Sequence, residues 1–277
     1  MDKQSRTDPV EFPAGALRIL QITDPHLFAD PQGTLLQVNT LDTLNQVLDY
    51  VRQVAWPADL VLATGDLVHD TSPEGYRSVR QCFEGLGIPT YCIPGNHDDP
   101  QQMTRQLDSG LVRMRGVARH AGWTIILLDT SVREHEGGHL APAELERLQN
   151  LLADSPDSHA LVCLHHNPVP TGSEWLDTMT LDNVDELFAI LDRHPQVRGV
   201  LWGHVHQVFE AERNGVPYMA TPSTCIQFKP GSQNFSLDAE PPGFRWLALL
   251  PDGTIETGVR RLESLPEGLN LEYTGGY

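Results

Sequence analysis

The 277-residue sequence predicts an α/β fold with largely parallel strand pairing. Three observations carry the prediction. Short apolar runs alternate with amphipathic segments of helical period over most of the chain. Nearly every apolar run ends in acidic, amide or imidazole side chains. In the last third the helical segments give way to closely spaced strand-like runs, which predicts a second sheet packed on the first.

Residues 17–23 (LRILQIT) read as a buried strand. Residues 40–54 place Leu41, Leu44, Val47, Leu48 and Val51 at helical spacing, with Asn39 or Thr40 available as the cap. A strand is expected over 59–65, a helix over 73–86 with Pro73 near its start, and a short strand over 89–95. Residues 123–130 are strand-like. Residues 142–152 open on Pro142, suited to a first helical position, and carry Leu145, Leu148, Leu151 and Leu152 on one face. A strand over 159–166, a helix over 182–191 with Val184, Leu187, Phe188 and Leu191 in phase, and a strand over 197–203 follow. Shorter strands are expected near 207–212, 217–220, 244–250 and 254–260. No repeat, charge block or long linker divides the chain. One domain is therefore expected over 17–277, behind a flexible polar segment, 1–16. Residues 229–243 (KPGSQNFSLDAEPPG) are irregular and too long for a plain connection, which makes them a candidate site-covering loop.

The chain holds 19 lysines and arginines against 37 aspartates and glutamates, a net charge of −18. Nucleic acid or an anionic membrane is not expected to bind through a general basic field. An anionic substrate needs a local source of attraction, and bound metal is the usual one. Cys82, Cys92, Cys163 and Cys225 form no CxxC pair and read as small buried hydrophobes of a reducing compartment. The polar N-terminus lacks the apolar stretch of a signal peptide, and no run approaches the ~18 apolar residues of a membrane span. A soluble cytoplasmic protein without membrane attachment is the expectation; the oligomeric state is not legible.

Five apolar runs deliver polar groups at their carboxyl ends: Asp24 and His26; Asp66; Asn96, His97 and Asp98; His165 and His166; His204 and His206. In open α/β sheets those ends share one edge, where ligands bind. A lone histidine is more often a surface or satisfied core residue than a ligand, so no single pair decides anything. Asp, Asn and His without Cys suit manganese, iron, zinc or magnesium in a catalytic site better than a structural zinc site. The donors outnumber what one ion needs. Two ions sharing a carboxylate ~3.5–4 Å apart would use them all. If alternate side chains of the GHVH stretch point the same way, His204 and His206 each reach a different ion.

The ordered set D-x-H (24–26), G-D (65–66), G-N-H-D (95–98), H-H (165–166) and G-H-x-H (203–206) resembles the calcineurin-type metallophosphoesterase superfamily. More narrowly, LRILQITDPHLF, VNT and TPSTCIQFKPGS resemble bacterial class III cyclic-nucleotide phosphodiesterases that hydrolyse cAMP. The resemblance implies an αββα sandwich, two packed mixed β-sheets flanked by helices. It implies two divalent ions, iron or manganese first and zinc or magnesium as alternatives. Asp24, His26 and His206 resemble ligands of the first ion, Asn96, His165 and His204 ligands of the second, and Asp66 the bridging carboxylate. His97 resembles the non-ligand histidine beside the phosphate, with Asn96 and His26 also near the substrate. The chain reads HHNP, with Asn167, where many members read HHPP.

The implied reaction converts 3′,5′-cAMP to 5′-AMP through a bridging hydroxide, with His97 as proton donor or phosphate contact. Phe228, Phe235 and Phe244 are candidates to stack on the purine, and Arg105, Arg113 and Lys229 candidates to meet phosphate or base. The alternative enzyme reading is a phosphoesterase of another substrate, such as a 2′,3′-cyclic nucleotide, a glycerophosphodiester or a phosphomonoester. A catalytically dead binding scaffold would be expected to lack several ligands or His97, and all are present. His69 and His166 read equally well as structural, as partners of ligands, or as substrate contacts.

Overall fold

The computed structural model describes residues 12–54, 57–114 and 116–276. Alternating burial defines the first sheet. In β1 (Leu17–Ile22), Leu17 and Ile19 enter one apolar cluster, and Leu20 and Ile22 another on the opposite face. β2 (Thr34–Leu35) and β3 (Val38–Asn39) make a small hairpin leading into α1 (Thr40–Gln53), which Asn39 caps by accepting the Asp42 N–H at 2.9 Å. β4 (Leu60–Ala63) repeats the split of β1. Then come α2 (Pro73–Glu84), β5 (Thr90–Cys92), α3 (Pro100–Leu107), β6 (Val112–Met114), β7 (Gly116–His120), β8 (Trp123–Leu127) and α4 (Pro142–Ala153). β9 (His159–Cys163), α5 (Val184–Leu191), β10 (Val197–Trp202), β11 (Phe209–Arg213), β12 (Val216–Ala220), β13 (Gly243–Leu249) and β14 (Ile255–Arg261) complete the order.

One six-stranded sheet runs β14-β13-β1-β4-β5-β6, with β1, β4, β5 and β6 parallel and the β13–β14 hairpin antiparallel at the edge. The other runs β11-β12-β10-β9-β8-β7, with a parallel centre and antiparallel edges. α1, α2 and α3 cover the outer face of the first sheet through Leu44, Val47, Tyr76, Phe83 and Met103. α4 and α5 cover the second through Leu148, Leu152, Leu187 and Leu191. Between the sheets lies a third cluster that includes Ile19, Leu62, Ile125, Leu161, Leu201 and Leu247. Each such fully buried side chain is worth roughly 1.5–3 kcal/mol. This is the αββα sandwich that the resemblance implied.

One expectation needs correcting. The second sheet is not the product of the last third, because its centre is β8, β9 and β10. The last hairpin, β13–β14, returns to the first sheet beside β1. Of the N-terminal segment, residues 1–11 lie outside the described residues, while Phe12 packs edge-on against Trp246, ring centroids 5.8 Å apart.

Polar contacts tie the sheets together. Gln21 of β1 donates to Thr64 Oγ1 at 2.8 Å and to the Trp202 carbonyl of β10 at 2.9 Å, and accepts the Thr221 hydroxyl. Arg245 of β13, fully buried, reaches Glu210 and the Ala220 carbonyl of the opposite sheet, both at 2.9 Å. These satisfied groups hold the strand ends around Asp24 and His204 in fixed relation. Among the described residues no helix is long and apolar enough to cross a membrane.

Candidate metal centre

The chain leaves β1, β4, β5, β9 and β10 at their carboxyl ends and brings Asp24, His26, Asp66, Asn96, His165, His204 and His206 to one place. The backbone there is unusual. Asp24, His26, Asp66, His204 and His206 all have positive φ, between 46° and 67°. Left-handed conformations cost a non-glycine residue of order 1–3 kcal/mol and persist where surrounding structure over-determines them. Here the Asp24 and His26 N–H groups donate to the Gly65 and Asp66 carbonyls at 3.1 and 3.0 Å, and the His204 N–H donates to the Asp24 carboxylate. Gly95 and Gly203 permit the close approach: a Cβ at Gly95 would run into the Asp66 carboxylate, and one at Gly203 into the Thr23 hydroxyl.

The donors form two groups that meet at one atom. In the first, His206 Nε2 lies 3.2 Å from His26 Nε2 and 3.5 Å from Asp24 Oδ1. In the second, Asn96 Oδ1 lies 3.2 Å from His165 Nε2 and 3.1 Å from His204 Nδ1. Asp66 Oδ2 stands between them, 3.7 Å from His26 Nε2 and 3.3 Å from His165 Nε2. It is buried without a hydrogen-bond partner, while Oδ1 accepts the His97 N–H at 2.9 Å.

These residues fit divalent cations, and the reason is the direction of their lone pairs. His165 Nδ1–H donates to the Thr64 carbonyl at 2.7 Å, and His206 Nδ1–H to the Ile226 carbonyl at 2.9 Å. A carbonyl can only accept, so each neutral ring carries its proton on Nδ1 and turns a bare Nε2 inward. Those nitrogens face carboxylate and amide oxygens: acceptor against acceptor, which a cation between them resolves. Without one, a proton serves. Burial, the largest single influence, would lower the pKa of His165, but the Asp66 carboxylate, the Asp24 charge and the Thr64 carbonyl together outweigh it and raise His165 to about 9. His204, with burial first and His165 second, falls to about 3. Burial would likewise raise Asp66, but His165, His97 and His26 hold it well below the carboxylate range.

Other predicted residues find plain roles. His166 is satisfied at both nitrogens, by the Thr130 hydroxyl at 2.7 Å and the Glu136 carbonyl at 3.2 Å, so its lone pair is already used. His69 places Nδ1 3.2 Å from His26 Nδ1 and stacks on His97 at 4.6 Å and 21°, linking the two. Asp98 accepts the N–H groups of Leu67, Val68 and Gly95 and the Tyr76 hydroxyl, at 2.9–3.1 Å, clamping the Asp66 loop to the Asn96 loop. An Asp98→Asn side chain would set its NH2 against at least one backbone donor. We expect a loss of about 2 kcal/mol in urea unfolding of the metal-free protein.

Asn96, His97 and His204 open onto a pocket of about 280 Å³ whose other wall includes Trp175, Met179, Phe228 and Phe235. Larger clefts elsewhere, of about 470 and 570 Å³, hold none of the donors. Phe244 is not available for stacking on a substrate, being buried under α1 with its ring 5.8 Å from Tyr50. Arg105, Arg113 and Lys229 are not among the residues lining the pocket. Sequence reasoning missed Trp175 and Tyr76, since an aromatic residue in a loop or a helix core carries no signal of its neighbours. Ser223 donates to the Asp24 carbonyl at 2.7 Å.

Fold and donor set together define a metallophosphoesterase, and the comparisons agree. The family model described as calcineurin-like phosphoesterase matches residues 17–208, and the chain belongs to that family. Among its curated relatives, the 3′,5′-cyclic adenosine monophosphate phosphodiesterase CpdA of Escherichia coli is 42% identical over 247 residues, covering 89% of this chain and 90% of that one. CpdA of Pseudomonas aeruginosa is 36% identical over 277 residues, covering both chains in full. Among solved structures, a dimetal phosphatase from Danio rerio superposes with a TM-score of 0.62 over 92% of this chain and 99% of its own, at 14% identity, and so speaks for the fold. The likeness to cAMP-hydrolysing phosphodiesterases read from the sequence is thereby borne out.

Proposed function

We propose that this protein hydrolyses 3′,5′-cAMP to 5′-AMP in the cytoplasm. The observation that carries the chemistry is Asp66 Oδ2, buried without a hydrogen-bond partner and facing both donor groups, beneath the Asn96, His97 and His204 side chains that line a small pocket. The substrate follows from relatives at 36–42% identity that bear that activity in their names.

In this reading Asp24, His26 and His206 would hold one ion, Asn96, His165 and His204 would hold the other, and Asp66 would serve both. Iron and manganese are the proposed pair, with zinc or magnesium as ions the same donors accept. Bound there, two divalent ions would lower the pKa of a shared water, supply hydroxide near neutral pH and offset phosphoryl charge in an acidic protein. The rest is done by the chain. Asn96 would orient the phosphate edge; His26, fully buried and turned to His69 and His206, does not line the pocket. Hydrolysis adds a water oxygen to phosphorus and breaks the P–O3′ bond, so the departing 3′-oxygen would need a proton. His97 at the pocket wall supplies it, held by its stack on His69 and its backbone bond to Asp66. Phe235 of the 229–243 segment lines the pocket, which supports reading that segment as a cover for the site.

Two measurements follow. Because His165 is raised to about 9, the metal-free site holds an extra proton below that pH, which metal uptake must expel. At pH 7 we expect roughly one proton released from His165, read by calorimetry in buffers of different ionisation enthalpy, and affinity rising with pH toward 9. The substrate is tested by incubating metal-replete protein with 3′,5′-cAMP, 3′,5′-cGMP, 2′,3′-cAMP and 5′-AMP and separating the products. The expected result is 5′-AMP from 3′,5′-cAMP with no phosphate released from 5′-AMP. Formation of 3′-AMP, or untouched cAMP beside hydrolysed 5′-AMP, contradicts the assignment. Faster cleavage of 2′,3′-cAMP would leave the metal chemistry standing and remove the dedicated cAMP role.

A further inference from the structure

The wall of the pocket opposite the metal centre is a built aromatic surface. Trp175 meets Phe228 edge to face at 5.0 Å and Phe235 at 5.2 Å, and Phe228 meets Phe235 at 5.6 Å. Phe228 stacks in turn on His206, centroids 4.3 Å apart and planes 10° from parallel, so the cluster is anchored to the donor groups themselves. The indole is fixed at its edge as well: Nε1–H donates to Ser232 Oγ at 3.1 Å, and that hydroxyl donates to the Lys229 carbonyl. Two further bonds tie the loop carrying Trp175 to the loop carrying Phe235. The Glu174 N–H donates to the Ser232 carbonyl, and the Gly231 N–H to Ser173 Oγ, both at 3.0 Å.

Phe228 is buried, but Trp175, Met179 and Phe235 are half-buried and line the pocket, with the exposed Glu136 and Thr178 beside them. A surface of this kind has no use for the phosphate, which belongs at the Asn96–His97–His204 edge. It suits a flat, apolar-faced group carried a few ångströms from the phosphate. At about 280 Å³ the pocket is at the lower limit of small-molecule sites, ~300–1,000 Å³, the scale of a mononucleotide and not of a polymer. The indole and phenyl rings lose little freedom on binding because they are already held.

We propose that Trp175 and Phe235 form the platform on which the base of the cyclic nucleotide stacks. The inference rests on the cyclic-nucleotide reading above and adds the residues that recognise the base. Stacking one base on one aromatic side chain is worth roughly 5- to 150-fold in affinity. The test compares 3′,5′-cAMP with the 3′,5′-cyclic phosphate of methyl riboside, which keeps sugar and phosphate and lacks the base. Trp175→Ala should raise KM for cAMP about tenfold or more, lower the cAMP-to-abasic ratio of kcat/KM by a similar factor, and leave metal content at the wild-type level. Trp175→Phe, which keeps a ring, should recover most of the ratio and guards against a misfolded alanine variant. An unchanged ratio in both variants, whether the two substrates are lost together or not at all, overturns the platform. Wild-type protein that leaves cAMP intact instead counts against the cyclic-nucleotide reading itself.

Discussion

Asp66→Ala is expected to empty the centre. Its Oδ2 lies between the two donor groups, at 3.7 and 3.3 Å from His26 Nε2 and His165 Nε2, so its loss weakens both together. Metal content should fall below about one ion per chain, and turnover on cAMP by roughly 10³-fold or more, since metal catalysis is worth several kcal/mol. Stability gives a second readout. A ligand bound at 1,000 times its Kd stabilises a protein by about 4 kcal/mol. Manganese should therefore raise the Tm of the wild-type protein by several degrees and that of the variant hardly at all. The substitution also strips the His97 N–H and the buried His165 imidazole of the carboxylate they face, so the metal-free variant should itself lose roughly 1–3 kcal/mol, and each manganese response is read against that protein's own metal-free state. Two retained ions, or an undiminished response to manganese, would remove Asp66 from the centre.

His97→Ala should behave in the opposite way, keeping metal and losing turnover. The side chain lies on the pocket wall against His69 and His26, and its backbone N–H donates to Asp66. As proton donor to the departing 3′-oxygen it should contribute roughly 10²–10⁴ in rate. A 4-nitrophenyl diester has a leaving group that needs no proton, so the loss there should shrink below about tenfold. An equal loss on both substrates would make His97 a phosphate contact and not an acid. Loss of metal would make it a ligand.

The elements with a strong apolar period were legible in advance. α1, α4 and α5 turn the leucines and valines that marked them toward the core, with Leu44, Val47, Leu48, Val51, Leu148, Leu152, Leu187 and Leu191 buried and Leu41, Leu145, Leu151 and Val184 partly buried, and β1, β4, β9 and β10 are apolar on both faces because each lies between a helical layer and the other sheet. α3 was not legible, since Met103 and Leu107 are its only buried residues, too few to show a period, although Asp99 caps it and Pro100 opens it. β7 is a half-exposed edge strand with one buried residue, Ala118. The destination of β13–β14 depends on which edge lay open, a property of the assembled sheet and not of the hairpin.

The convergence of five strand ends was readable because polar groups at the ends of apolar runs must leave the core. The geometry behind it was not. His204 and His206 do turn toward different groups, but not by strand alternation. Both are left-handed, and Val205 between them is buried in the apolar cluster under α4 and α5. Three phenylalanines stood as equal candidates for the base; position separates them, with Phe244 in the core, and Phe228 and Phe235 both on the pocket wall, Phe228 buried against His206 and Phe235 half-buried.

The central claim is that two ions share Asp66. Anomalous diffraction from crystals of the metal-replete protein tests it most directly. The account predicts two peaks ~3.5–4 Å apart, one among Asp24, His26 and His206, the other among Asn96, His165 and His204, with Asp66 Oδ2 in contact with both. A single peak, or two peaks of which Asp66 touches only one, would contradict it.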